Sequence, residues 1–300
     1  MTTEPRRRAA GRRAVCLIVN PSAGRGRAAR LLPRVEQALR ARRVSFRVER
    51  TGSLAHAREL ARGALAAGEV AAAMGGDGLL GAIAGELHGK GGVLGVLPGG
   101  RGNDFARKLG IGPDPERACD VLAGGRTRLL DVAEAGAQTY LGIASAGIDS
   151  DVQDIANSTR LPLGGLVYVY ATLRALRGWQ HARWQVVVDG QPHAFDGYSV
   201  AVANSGVFGG GMYLVPHAAL DDGLLDVVLT RAASKRSYLA GVPKVFRGTH
   251  VGNPDLTFLR GREISFHADR PYTAYADGDP IAELPVTIRI VPRALEVLVP

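Results

Sequence analysis

Three short stretches combine glycine with polar residues in a pattern that suits phosphate binding. They read Asn20-Pro21-Ser22-Ala23-Gly24, Gly75-Gly76-Asp77-Gly78 and Pro98-Gly99-Gly100-Arg101-Gly102-Asn103-Asp104. Glycine permits positive backbone φ angles and lets a ligand approach main-chain N–H groups closely. A helix that starts after such a turn adds unpaired N–H groups and a positive dipole end, both of which attract anions. The local chemistry therefore predicts a phosphate site.

Taken alone, the second stretch is ambiguous. Gly76–Gly81 satisfies the pattern G-x-G-x-x-G, which indicates a dinucleotide fold, and a glycine turn without any ligand has the same appearance. A dinucleotide site also needs an acidic residue near the end of the next strand, but that strand ends in Pro98-Gly99-Gly100. No G-x-x-x-x-G-K-[ST] pattern occurs either. The three stretches are therefore interpreted as a set of nucleotide loops.

Several acidic and polar residues have both a chemical and a structural interpretation. Asp222-Gly223 is a good hairpin turn, and Asp277-Gly278 is another turn signal, so Asp279 is either a reactive carboxylate or a solvated loop residue. Asn103-Asp104 and Thr51 are also suitable helix caps. These alternatives stay open at the level of local pattern.

The predicted helices and strands that must position these residues divide the chain into two parts with different patterns of secondary structure. Up to about residue 130, buried strands alternate with helices, which predicts a parallel α/β sheet whose loops follow the carboxyl ends of the strands, where ligands bind. The strands of this part are expected at Ala14–Val19, Val44–Glu49, from Val70, and at Val93–Leu97. Beyond it, alternating segments predict a second, mainly antiparallel β domain. Its strands are expected at Arg128–Glu134, Tyr140–Ala146, Trp184–Asp189, Ala194–Asn204, Leu224–Leu229, Glu263–His267 and Val286–Ile290, with helices at Leu163–Arg177 and Ser234–Arg247. The expected domains are a disordered basic arm (1–13), a nucleotide-binding α/β domain (14–130), a β-rich substrate domain (131–290) and a C-terminal segment (291–300) that is a candidate to return to the first domain.

Composition narrows the class of protein. The chain has 300 residues, 46% of them hydrophobic and 22% charged, with a net charge of +9 and a pI near 10.0. Such a balance is typical of a soluble globular protein with anionic partners. Two cysteines and scattered histidines without H-E-x-x-H argue against a zinc enzyme or a disulfide framework, so a reducing cytosol is expected.

The ordered series of motifs resembles the diacylglycerol kinase catalytic-domain family, which includes bacterial lipid kinases and sphingosine kinases. The three loops are followed by Asn204 to Gly211, by P-x-A-x-L-D-D-G-L-L-D-V from Pro216 to Val227, and by Asp277-Gly278-Asp279. The resemblance covers about residues 14–300. It implies a phosphofructokinase-like or NAD kinase-like α/β domain with a β-sandwich domain. It also implies phosphoryl transfer from ATP to a lipid hydroxyl with Mg²⁺ present.

The resemblance also assigns roles to individual residues. It implies catalytic roles for Asp279, Asp277 and Asp104, with Asp279 as the base that accepts the hydroxyl proton and Asp104 near the phosphates or metal. It implies a structural Mg²⁺ held by Asp222 and the main-chain oxygens of Ala219 and Leu224. The implied ATP contacts are Asn20, Pro21, Ser22, Ala23, Gly24, Thr51, Gly75, Gly76, Asp77, Gly78, Leu79, Leu80, Gly81, Arg101 and Asn103.

The chain departs from the usual family pattern at a few of these positions. Leu79, Gly81 and Ala82 stand where the family usually has Thr, Asn and Glu, Arg101 replaces a usual Thr, and Asp279 replaces a usual glutamate.

The leading interpretation is an ATP-dependent lipid kinase with diacylglycerol as default acceptor, and the apolar segment Val207–Tyr213 is either an acyl-chain cleft or a core strand edge. The alternatives are a kinase of a soluble or sphingoid hydroxyl, or a catalytically degenerate nucleotide- or lipid-binding member.

The expected partners and location follow from the resemblance and the charge. A lipid substrate at an anionic membrane surface and a nucleotide are expected, and nucleic acid is not. A homodimer is left open. The expected location is the cytoplasm, with peripheral attachment at the inner face of the membrane as an option.

Overall fold

The fold is taken from a computed structural model, which describes residues 13–124, 126–159 and 166–300. The predicted basic arm therefore lies outside the described residues apart from Arg13, and so does the beginning of the helix predicted at Leu163–Arg177. The chain divides into two compact units: residues up to Leu130 together with Arg293–Pro300 form the first, and Asp131–Pro292 form the second.

The first unit is an α/β layer structure. Its elements are β1 (Val15–Val19), α1 (Ala23–Ala41), β2 (Phe46–Arg50), α2 (Leu54–Ala66), β3 (Val70–Gly75), α3 (Asp77–Leu87), β4 (Val93–Pro98), α4 (Asp104–Lys108) and α5 (Pro115–Gly124). Strands β1, β3 and β4 are buried along their whole length, as expected for a parallel sheet covered by helices on both faces. The sheet order is β4-β3-β1-β2, and every pairing is parallel.

The second unit is mostly antiparallel. The element β5 (Thr127–Ala135) leads into it. The following elements are β6 (Gln138–Tyr140), β7 (Ile143–Gly147), α6 (Ile148–Ser158), α7 (Leu166–Arg177), β8 (Ala182–Val188), β9 (Gln191–Ala203), β10 (Val207–Phe208), β11 (Met212–Tyr213), β12 (Leu225–Arg231), α8 (Lys235–Arg247), β13 (Leu256–Gly261), β14 (Glu263–Ala268), β15 (Thr273–Ala276), β16 (Asp279–Glu283) and β17 (Val286–Leu298). Strand β9 is central, since it pairs with β8, β7 and β12. The core on one face of these strands centres on Trp184, Phe266 and Tyr140.

The predicted fold class is confirmed: an α/β unit with parallel strands is followed by a mostly antiparallel β unit. The segment Tyr140–Ala146, predicted as one strand, is broken between β6 and β7. The break arises because the N–H groups of Leu141 and Gly142 donate to the side chain of Asp277 instead of a neighbouring strand. Strands β13, β15 and β16 and helix α6 were not predicted.

Candidate active site

The three glycine-rich loops follow β1, β3 and β4, so they lie at the carboxyl edge of one parallel sheet. In the first loop, Ser22 donates from its N and Oγ to Asn20 Oδ1 at 3.1 and 2.7 Å. Helix α1 then contains three consecutive residues with left-handed φ angles, Gly24, Arg25 and Gly26 (58°, 57° and 82°). Regular helix continues from Arg27.

The loops contact one another through bare backbone. A Cβ atom on Gly24 would lie 2.8 Å from Gly99 O, and one on Gly100 would lie 2.5 Å from Gly76 Cα. Since no real Cβ tolerates these distances, glycine is required at Gly24 and Gly100. The result is a surface made of main-chain atoms from three loops, which is the kind of surface that positions phosphates.

Asp77 fixes the third loop. Its Oδ2 accepts from Asp104 N at 3.1 Å and its Oδ1 accepts from Phe105 N at 3.0 Å, so it caps the short helix α4 from another loop. Burial raises the pKa of this carboxyl, against the opposing effect of the main-chain hydrogen bonds. Asn103, which was an alternative cap, instead closes its own loop: it accepts from Gly100 N at 2.8 Å and donates to Gly100 O at 3.1 Å.

Asp104 lies beside Asp77 at the floor of these loops. It is 7% exposed, and a Cβ on Gly102 would lie 3.0 Å from Asp104 Oδ2 and 3.4 Å from Asp77 Oδ2. Arg107 Nε is 3.9 Å from Asp104 Oδ1. Mg²⁺ in phosphoryl-transfer enzymes is usually bound by one or two carboxylates together with substrate phosphates, so this pair of acids has suitable chemistry to hold it.

The other predicted contacts in the first unit differ in exposure. Thr51 is buried, and its Oγ1 donates to Ser53 O at 2.6 Å, while Ser53 caps α2. Leu79 is 3% exposed and packs on Gly75. A Cβ atom on Gly75 would lie only 2.6 Å from Leu79 Cδ2, so the glycine leaves room for this side chain. Leu80 and Gly81 are also buried, whereas Arg101 is exposed in the third loop. The missing Thr is therefore replaced by a core side chain.

Asp277, in the second unit, performs the same kind of backbone clamping as Asp77. Its carboxylate accepts from Leu141 N, Gly142 N and Ile143 N at 3.1, 3.1 and 3.2 Å, and its own φ is +53°. A Cβ on Gly142 would lie 1.9 Å from Asp277 Oδ1, so the glycine makes room for the carboxylate. These contacts give Asp277 a positioning role in the structure.

Asp279 differs from its neighbour in the same turn. It is partly buried at the start of β16, and burial raises the pKa of its carboxyl. Among the residues that the structure describes, none forms a hydrogen bond or ion pair with this carboxylate. A carboxylate with a raised pKa and unused lone pairs is suited to accept a proton.

The predicted structural metal loop is arranged around an arginine. Arg260 Nη2 donates to Asp222 Oδ2, and Asp222 Oδ1 accepts from Leu224 N at 3.1 Å. Both oxygens of Asp222 are thus engaged by donors. The residues present therefore do not fit a metal at Ala219, Asp222 and Leu224.

An apolar cavity of about 120 Å³ lies in the second unit, next to the β10–β11 hairpin. Phe208, Gly209 and Met212 of the predicted cleft segment line it, together with Tyr168 of α7 and Val242 of α8. The cleft interpretation of Val207–Tyr213 gains support from this position.

Sequence reasoning missed the acid on this cavity, Asp149. Burial raises its pKa to about 6, with a hydrogen bond from Ser199 opposing the shift. Asp149 follows Gly147 at the start of α6, and the one local signal was a glycine before a run of acidic and apolar residues.

Two family profiles match nearly the whole chain. Residues 14–135 match the diacylglycerol kinase catalytic domain, and residues 142–299 match the YegS C-terminal NAD kinase beta sandwich-like domain. A diacylglycerol kinase of Mycobacterium tuberculosis is 34% identical over 296 residues, covering 95% of each chain. A probable lipid kinase YegS-like of Pseudomonas fluorescens is 31% identical over 275 residues, covering 89% of this chain and 90% of the relative.

A solved structure shares the fold. A crystal structure of a diacylglycerol kinase from Bacillus anthracis strain Sterne superimposes with a TM-score of 0.78 at 22% identity, covering 96% of this chain and 97% of that chain. Separately, no helix in the described part of this chain is both long and apolar enough to cross a membrane.

Proposed function

Because the chain belongs to the diacylglycerol kinase catalytic-domain family, we propose that it uses ATP to phosphorylate the free hydroxyl of a diacylglycerol. As a member of that family it is a phosphotransferase with an alcohol group as acceptor. The nucleotide, the metal and the identity of the lipid are the proposed parts.

The nucleotide assignment rests on the backbone surface formed by the three loops. Gly24, Gly76 and Gly100 bring main-chain atoms of the three loops together without side chains between them. Phosphoryl transfer needs positioning and charge neutralisation more than covalent help from the protein. Main-chain N–H groups supply the first, and the exposed Arg25 and Arg101 add positive charge beside them.

Of the two neighbouring acids Asp104 and Asp77, Asp104 is the residue that would hold Mg²⁺ with the phosphates. When bound, the ion would supply positive charge that neutralises the phosphates. In our assignment Asp104 is the ligand, because both oxygens of Asp77 already accept main-chain N–H groups.

Asp279 is the proposed general base. Its raised pKa and lack of a hydrogen-bonding partner in the described chain favour acceptance of the hydroxyl proton. Asp277 is a positioning residue in this scheme, because its hydrogen bonds to Leu141–Ile143 hold the turn that carries Asp279.

The observation that carries the lipid acceptor is the apolar cavity beside the β10–β11 hairpin. Its lining is dominated by apolar and aromatic side chains from Phe208, Met212, Tyr168 and Val242, which suits an acyl chain better than a polar metabolite.

Helices α7 and α8 support contact with an anionic bilayer. Leu173 and Phe246 are 52% and 42% exposed, so each presents a large apolar side chain to a bilayer. Arg174 and Arg177 end α7, and Lys244 and Arg247 end α8. Apolar side chains flanked by cations favour binding to an anionic lipid surface.

The decisive experiment is a phosphoryl-transfer assay with purified full-length chain and γ-labelled ATP. Acceptors are dioleoylglycerol, sphingosine and ceramide in mixed micelles, and NAD and glycerol in solution, with MgCl₂ throughout. We expect label in phosphatidic acid and little in the other products. Label only in a soluble acceptor or in a sphingoid product would reject the diacylglycerol assignment, and ATP binding with no product from any acceptor would indicate a degenerate member.

Membrane contact is tested by sedimentation with phosphatidylglycerol or phosphatidylcholine vesicles. Leu173→Glu and Phe246→Glu are expected to lower binding to the anionic vesicles roughly tenfold or more, since each removes inserted apolar area and adds like charge. Leu129→Glu is the matched control, because Leu129 is 42% exposed but lies on β5. Equal loss in all three variants would contradict the α7–α8 surface.

A further inference from the structure

A single arginine bridges two carboxylates at the start of β12. Arg260 stands opposite Asp226 in the register of β13 with β12. Its Nε donates to Asp226 Oδ1 at 3.0 Å, and its Nη2 donates to Asp222 Oδ2. One guanidinium thus pairs with Asp222 of the turn and with Asp226 of the strand that follows it.

The rest of the turn is satisfied by main-chain donors and one histidine. Asp222 Oδ1 accepts from Leu224 N at 3.1 Å, and Asp131 Oδ2 accepts from Gly223 N at 2.7 Å. His217 Nε2 lies 3.7 Å from Asp226 Oδ1. Every carboxylate oxygen named here therefore faces a hydrogen-bond donor or a cation.

Asp226 explains why a cation is needed at this place. Asp226 is 3% exposed, so its carboxylate is almost fully removed from solvent. A buried carboxylate is costly unless it is paired with a cation and hydrogen-bonded. In a turn of this sequence pattern, that cation is either a metal ion or a basic side chain.

We infer that the Arg260 guanidinium is the resident cation of the turn at residues 219–226 and takes the place of a structural divalent metal. Mg²⁺ demands near-octahedral oxygen ligands at about 2.0–2.1 Å. Both Asp222 oxygens already accept hydrogen bonds, and a guanidinium beside them repels a second cation. Any Mg²⁺ requirement of this protein then arises from the nucleotide loops and not from this turn.

The inference is independent of the acceptor and is tested by stability rather than turnover. Thermal unfolding of the full chain is followed in EDTA and in about 10 mM MgCl₂ at equal ionic strength, because a ligand that binds only the native state raises the unfolding midpoint. Wild type and Asp222→Asn should respond to Mg²⁺ equally. Arg260→Gln should unfold at a lower temperature in EDTA and regain about 3 °C or more with Mg²⁺, since the two carboxylates are then open to an ion.

Three controls make the outcome specific. Arg289→Gln removes an exposed arginine that pairs with Glu263 at 2.5 Å, and it should show the wild-type Mg²⁺ response. Arg260→Gln combined with Asp222→Asn should lose the gain that Arg260→Gln shows. Isothermal titration of Arg260→Gln with MgCl₂ measures the new site directly.

Two results would overturn the inference. The first is a Mg²⁺-dependent rise in the midpoint of wild type that Asp222→Asn abolishes, because the ion would then bind with Arg260 present. The second is an Arg260→Gln variant as stable in EDTA as Arg289→Gln. If Arg260→Gln does not fold in either buffer, the wild-type and Asp222→Asn pair decides alone, since both keep the arginine.

Discussion

Asp77-Gly78 in the first unit and Asp277-Gly278 in the second are alike in sequence and alike in what their acids do. Asp77 accepts main-chain N–H groups from Asp104 and Phe105, and Asp277 accepts them from Leu141, Gly142 and Ile143. Each acid holds a segment that is distant in sequence.

The two regions differ in where the reactive acid stands relative to the clamp. In the first unit the reactive acid, Asp104, lies in the segment that Asp77 holds, because Asp104 itself donates its N–H to Asp77. In the second unit the reactive acid, Asp279, lies in the same turn as the acid that holds the backbone, because Asp279 follows Asp277 by two positions. In both turns, therefore, the aspartate of the Asp-Gly pair fixes the backbone, and the proposed chemistry belongs to a neighbouring acid, Asp104 or Asp279. Clamp variants should lose stability, and variants of the neighbour should lose activity.

The largest expected effect is that of Asp279→Asn on turnover. Removal of a general base typically costs about 10²–10⁴ in kcat, and the asparagine cannot accept the proton. The free energy of unfolding at pH 7 should not fall below that of wild type, because the change removes a partly buried charge and breaks no hydrogen bond or ion pair among the described residues. Steady-state kinetics with dioleoylglycerol and urea denaturation measure the two quantities. Asp196→Asn, at an exposed position of β9, is the matched control, and wild-type kcat in Asp279→Asn would reject the assignment.

Asp277→Ala should have the largest effect on stability. It strips three main-chain N–H groups of their acceptor, and hydrogen bonds to a charged group contribute about 1.5–3 kcal/mol each without being additive, so a loss of about 2–4 kcal/mol is expected. Both tryptophans, Trp179 and Trp184, lie in the second unit, so fluorescence during urea denaturation reports on the right region. A stability equal to that of Asp196→Ala with a kcat as low as that of Asp279→Asn would reverse the roles of Asp277 and Asp279.

The turns themselves were predictable from the sequence, but their partners were not. Asp277-Gly278 reads as a turn, and it joins β15 to β16 as such a signal suggests. The segment that it clamps lies 134 to 136 residues away, which no local pattern encodes. The same clamp divides Tyr140–Ala146 into two strands, which the alternation of residues did not indicate.

Strands that are uninterrupted buried runs were predicted best, and elements with a mixed pattern were missed. β1, β3 and β4 are buried along their whole length, whereas β15 and β16 mix burial with exposure and α6 mixes acidic and apolar residues. Arg260 could not be paired with Asp222 from sequence, because the pairing depends on the register of β12 with β13.

Asp77→Ala tests the weaker of the two clamps. The expected loss is about 2 kcal/mol, smaller than for Asp277→Ala, because burial raises the pKa of Asp77 and its removal relieves that penalty. No tryptophan lies in the first unit, so hydrogen exchange of residues 98–110 is the suitable probe, with about 30-fold faster exchange expected for a 2 kcal/mol loss. Unchanged protection of α4 would show that the cap does not depend on Asp77.

Asp149→Asn extends the comparison to an acid without a main-chain clamp. Its folded-state pKa is raised to about 6 from 3.8, so its favourable contribution is complete below pH 3.8 and is lost as pH rises through 6. At pH 7 the variant should therefore be more stable than wild type by about 1 kcal/mol, with partial exposure taken into account. The difference should shrink between pH 6 and pH 4 in urea denaturation followed by tryptophan fluorescence. A difference that is constant with pH would mean that Asp149 keeps an ordinary pKa.

The smallest expected effect concerns an exposed side chain on the third loop, which the first clamp holds. Arg101→Ala should raise the KM for ATP about three- to fivefold and leave kcat and stability near wild type, because a solvent-exposed guanidinium contributes little to either but can pair with a phosphate. Arg117→Ala, which removes an exposed arginine of α5 in the same unit, controls for the loss of general positive charge.

If Asp77 positions Arg101 by holding the third loop, then Asp77→Ala should raise the KM for ATP as well. Adding Arg101→Ala to Asp77→Ala should then raise the KM by less than the product of the two single effects. A lower KM in Arg101→Ala would show instead that the guanidinium obstructs the nucleotide, and multiplicative effects in the double variant would show that the clamp does not act through Arg101.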